Sequence, residues 1–159
     1  MTKTIIALLM FFLSLPILAE EYPYDVRIPE LIDKTIERED MHYLIRASTR
    51  CASLYQITSE LLSRDHTNQD LSSINSLKDQ FIFSVHKLNN NKLQSSGLSE
   101  DELKSGQQHL IDEIKQHIKI YSSWMQNNYV KQGEYFGSSE FLLREFDDCK
   151  DLNSILMQL

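Results

Sequence analysis

From Ile28 onward the apolar residues of this chain fall three and four positions apart, the spacing of one face of an α-helix. Ile28, Ile32 and Ile36 open the pattern, with Pro29 acceptable in a first turn. Whether 28–37 is a helix of its own or the start of the next one is open at this level. Leu44, Ala47, Cys51, Leu54, Tyr55, Thr58 and Leu61 then predict a helix over about 38–63. Its small residues Ala47, Ser48, Ala52 and Ser53 would let a neighbouring helix come close. After a polar connection over 65–69, a second helix is predicted over about 71–88, with Ile74, Leu77, Phe81, Val85 and Leu88 on one face and Phe83 off it. The Asn- and Ser-rich run 89–97 reads as a loop.

Ser99 with Glu102 has the spacing of a capping box and should open a long helix over about 100–131. Leu103, Leu110, Ile114, His117, Tyr121, Trp124 and Asn128 form its stripe, and Gly133 suits a left-handed stop. Ser138 or Ser139 should cap a last helix carrying Leu142, Phe146, Cys149, Leu152 and Leu156. All three prolines precede residue 30, so nothing downstream breaks a helix in the way proline does. The expected fold is all-α: an antiparallel up-down-up-down four-helix bundle behind an extended arm, Glu20 to Arg27.

The opening nineteen residues follow another pattern. Lys3 precedes an apolar run from Ile5 to Leu18 that ends at Ala19, as in a secretory leader. The run falls short of the roughly 20 residues a spanning helix needs. The expectation is a signal peptide over 1–19, one helical domain over 20–159 and a periplasmic or secreted location, with no membrane span after cleavage. An oxidising destination gives the two cysteines a role. Cys51 and Cys149 both sit mid-way along apolar stripes, on the first and last main helices. Those helices neighbour each other in an antiparallel bundle, so a Cys51–Cys149 disulfide is expected, joining first helix to last.

Composition narrows function mainly by exclusion. The formal net charge is −7, and losing Lys3 with the leader makes the mature chain more negative still. That disfavours nucleic acid as a partner and points to another protein, a basic one being favoured by charge. There is no C-x-x-C-H for covalent haem and no G-x-S-x-G, and four glycines supply no phosphate-cradling loop. Asp147 and Asp148 are neighbours on a helix, point apart and read as a solvated rim.

Two clusters remain as candidate sites. His109, Glu113 and His117, at i, i+4 and i+8, could ligate zinc or iron from one helix face. Tyr121, Trp124, Tyr129, Tyr135 and Phe136 crowd the end of the long helix and could rim a binding surface. No catalytic residue and no cofactor is expected. The sequence therefore predicts a small exported, non-enzymatic binding protein of the bacterial envelope, as an inhibitor, an immunity-type protein or an accessory subunit. The alternatives are a metal-binding bundle using the His/Glu/His stripe and a carrier of a small ligand or lipid.

Overall fold

The computed structural model describes residues 22–64, 71–137 and 139–158. The expected leader, the start of the arm, the connection at 65–70 and Ser138 lie outside these residues. Five helices and no strand occur among them: α1 (Ile28–Arg38), α2 (Met41–Arg64), α3 (Ser72–Ser95), α4 (Glu100–Gln132) and α5 (Glu140–Leu156). The chain is all-α, with one helix more than the four expected for the bundle.

The extra helix exists because the backbone turns sharply at Glu39. This residue has φ 52° and ψ 32°, and among the described residues no other non-glycine has positive φ. Left-handed backbone ends a helix. Asp40 Oδ1 then accepts the His42 amide at 2.9 Å and starts α2 afresh. Residues 28–37 are thus a separate helix, which packs against both α2 and α5.

α2 packs against each of the other four helices. Every residue from Ala47 to Tyr55 is buried, a stretch longer than two turns. A helix covered on all sides needs small or internally bonded side chains. Thr49, Ser53 and Thr58 satisfy their hydroxyls on the carbonyls of Ile45, Thr49 and Leu54. Ser53 Oγ also reaches the Ile114 carbonyl of α4 at 3.3 Å, the close approach that the small residues promised.

α3 runs through the Asn- and Ser-rich segment to Ser95, which corrects the expected loop over 89–97. Its extra turns are held from outside. Leu93 packs over Gly106 of α4, where an added Cβ would sit 3.2 Å from Leu93 Cδ2. Lys92 pairs with Asp40 at 3.7 Å. Tertiary contacts have overridden the local preference of Asn and Ser. α4 opens as expected, with Glu102 Oε2 accepting the Ser99 amide at 2.9 Å, and ends at Gly133 with φ 78°. Ser139 Oγ caps α5 by accepting the Leu142 amide.

Cys51 and Cys149 form a disulfide with Cα atoms 5.6 Å apart, joining α2 to α5 across 98 residues of sequence. Among the described residues no helix is long and apolar enough to cross a membrane.

Candidate functional site

Two polar centres stand out, one closed and one open. The closed one lies beside the disulfide. Arg50 precedes Cys51 on α2, and Glu145 lies one turn before Cys149 on α5. Arg50 Nη2 meets Glu145 Oε1 at 2.6 Å, with the two side chains 3% and 0% exposed. The phenols of Tyr22 and Tyr121 both donate to the Glu145 carboxylate. Arg50 also donates to the Val26 carbonyl at 2.6 Å and lies 3.7 Å from the centre of the Tyr24 ring. Alongside, Arg27 Nη2 spans both oxygens of Asp148, at 3.0 and 2.9 Å. The arm is thereby fixed onto α2, α4 and α5 by Tyr22, Tyr24, Val26 and Arg27. Asp148 is buried, which corrects its reading as a solvated rim residue; Asp147 is exposed.

This packing sets the acid–base behaviour of the phenols. Burial pushes the Tyr22 and Tyr121 hydroxyls well above the usual range, and the Glu145 carboxylate adds to both. Burial likewise raises Tyr24, against the opposing effect of Arg50. Tyr55, buried between Phe81 and Phe146, is pushed up to about 12. A phenol with a raised pKa keeps its proton in the folded state after the unfolded chain has begun to lose it. Stability should therefore hold below pH ~10, the unfolded value, and fall steeply as pH rises toward 12. Urea unfolding at stepped alkaline pH, read beside phenolate absorbance, checks this. Stability that stays flat across that window would rule it out.

The open centre is a cleft of about 400 Å³ between α2 and α4. His42 and Arg46 line it from α2, and His109, Asp112, Glu113 and Gln116 from α4. A smaller cleft of about 160 Å³ adjoins it where Gly106 lets α3 approach, and it shares His42, His109 and Glu113. Burial, with Lys92 nearby, lowers the His42 pKa. For Glu113, burial would raise the pKa, but His117, Arg46 and His42 together bring it below the ordinary value.

The structure divides the predicted stripe. His109 and Glu113 face the cleft, whereas His117 is buried with Nδ1 3.1 Å from the Tyr24 hydroxyl. Among the described residues no group of three such side chains stands ready to hold a metal ion. The predicted aromatic rim divides too. Tyr121 is fully buried, Trp124 packs edge-on against Phe141 with Nε1 on Ser139, and Phe136 packs against Phe146. Tyr135 is half-buried and stacks on Tyr129, which is exposed. Most of this cluster closes the end of the core.

The stripes drawn from the sequence left out Arg50 and Glu145. They were nonetheless legible. Ala47, Arg50, Leu54, Ile57 and Leu61 keep helical spacing, as do Leu142, Glu145, Cys149 and Leu152. Opposite charges thus occupy inward positions on two stripes that a disulfide joins. Compared with known proteins, the chain matches no family model, no curated protein and no solved structure.

Proposed function

We propose that this is an exported, non-enzymatic interaction protein of the bacterial envelope, with α2 to α5 running alternately up and down behind a cleaved leader. The observation that carries the reading is how the central polar groups are used. Arg50, Glu145, Tyr22 and Tyr121 bond one another and the arm, beside a covalent link between α2 and α5. Such groups build a rigid frame. A frame of this kind presents a fixed surface and so loses little conformational entropy when a partner docks.

That surface carries a net negative charge and large exposed apolar side chains, among them Phe83 at 68% and Met157 at 71% exposure. Aromatic and Met side chains are enriched at protein interfaces. These two line one shallow cleft with Lys87 and Leu156, and a protein with a basic surface is the favoured partner.

The test replaces Phe83 with a photo-crosslinking residue in the oxidised protein and adds native envelope extract. One discrete adduct is expected, competed by untagged protein and formed more slowly as salt rises. No competed adduct at any salt concentration would end the interaction reading.

A further inference from the structure

The geometry points to the α2–α4 cleft as a binding site for a free α-amino acid with an aliphatic side chain. Glu113 takes the ammonium, Arg46 and Gln116 take the carboxylate, and the adjoining smaller cleft takes the side chain. The site does not depend on the interaction reading above and stands without it.

The two clefts meet at Glu113, which lines both. Its side chain is 16% exposed. The basic nitrogens beside it, Arg46 Nε at 3.5 Å and His117 Nε2 at 3.7 Å, both stand beyond hydrogen-bond length from Oε1. An ammonium arriving through the cleft would give this half-buried carboxylate a charge-assisted hydrogen bond at full strength. The open cleft holds the complementary groups. Arg46 and Gln116 line it and do not line the smaller one. Among the described residues neither side chain donates a hydrogen bond to the protein, so both have donors to offer a ligand. Asp112, the other acid of the open cleft, already accepts from Gln108 at 3.0 Å and from Lys115 at 3.5 Å.

The smaller cleft supplies apolar lining. Ile45, Leu93 and Leu110 face it, and Gly106 keeps it open because no Cβ stands there against Leu93. Lys92 also lines it but pairs with Asp40 at 3.7 Å. A cavity of roughly 150 Å³ accepts a benzene ring. At about 160 Å³ this cleft has room for a branched aliphatic side chain. The open cleft, at about 400 Å³, has the size of a small-molecule site. Charge decides the rest. A ligand of single charge would meet a like charge where Glu113 and Arg46 lie side by side, whereas a zwitterion alternates with them. The amine nitrogen and carboxyl carbon of an α-amino acid are about 2.5 Å apart, short enough to address both members of that pair at once. The three groups on one Cα thus match an acid at the junction, donors in one cleft and apolar side chains in the other.

The experiment titrates L-leucine into the oxidised full chain by calorimetry, while NMR follows the Gly106 amide and the Arg46 Nε–H. One equivalent should bind, shift both signals and raise the Tm by mass action. N-acetyl-leucine lacks the ammonium, leucine methyl ester lacks the carboxylate and glycine lacks the side chain. Each should bind at least about tenfold more weakly, the cost of one charge-assisted hydrogen bond or one buried aliphatic group. Glu113→Gln and Arg46→Met should each weaken leucine binding at least about tenfold, and Phe83→Ala less than about twofold. Neither of the first two removes a core side chain, so both variants should fold, and the three analogues test the same contacts in the unaltered chain. The proposal is overturned by absence of saturable leucine binding, by unmoved Gly106 and Arg46 signals, or by analogues that bind as well as leucine.

Discussion

Arg50→Met should lower the stability of the domain by about 3–5 kcal/mol in urea unfolding. The reason is what remains. Glu145 would be left at 0% exposure without its counter-ion, with only the Tyr22 and Tyr121 hydroxyls to hold it. The Val26 carbonyl and the Tyr24 ring would lose their cationic partner as well. An uncompensated buried charge costs far more than the intact pair contributes. Glu145→Gln should be damaging for the complementary reason, leaving Arg50 unpaired. The double variant Arg50→Met/Glu145→Gln should then cost clearly less than the two singles added, because each single includes the stranding of the other group. Additive losses, or a single-variant cost below about 1 kcal/mol, would mean that water reaches this pair after all.

Replacing both cysteines by alanine is expected to cost about 2–5 kcal/mol, with chain entropy alone giving about 4.7 kcal/mol for a loop of about 100 residues. The loop here closes 98 residues, and both cysteines are 0% exposed. Burial adds a kinetic consequence: a reductant reaches the sulfurs only when α2 and α5 separate. Native protein should resist thiol reduction until urea opens it, and the reduced form should unfold at a lower urea midpoint with a larger m-value. Ready reduction in buffer would show that the helices part locally. Domains have about 5–15 kcal/mol in total, so losing both the ion pair and the disulfide should leave little folded protein.

These two effects meet at one level of the fold, which bears on how the chain encodes it. Arg50 adjoins Cys51 in sequence, and Glu145 lies four residues before Cys149. A bond between the cysteines therefore brings the charges into reach of each other. The arm then closes the site, with the Tyr22 hydroxyl and the Val26 carbonyl satisfying groups that two helices alone would leave open.

Helical class, the capping of α4 and α5, the stop at Gly133 and the inward direction of Cys51 and Cys149 all followed from the order of residues. Each is local: a 3.6-residue period, a serine three positions before an acid or an amide, a glycine free to take positive φ. The Cys51–Cys149 link could be derived because the chain has two cysteines, both on inward stripes of helices expected to be neighbours.

Other features were decided only when distant segments packed. Glu39 holds a left-handed turn that its own preference opposes, since α1 must fold back onto α2 and α5. The run at 89–95 is helical because Leu93 finds Gly106 and Lys92 finds Asp40. Tyr24, 93 residues earlier in the chain, supplies the hydroxyl that meets Nδ1 of the buried His117. Local patterns set which face of a helix turns inward. Which partner waits there, and whether a buried charge is matched or stranded, depends on contacts between residues far apart in sequence, and those exist only once the chain has closed.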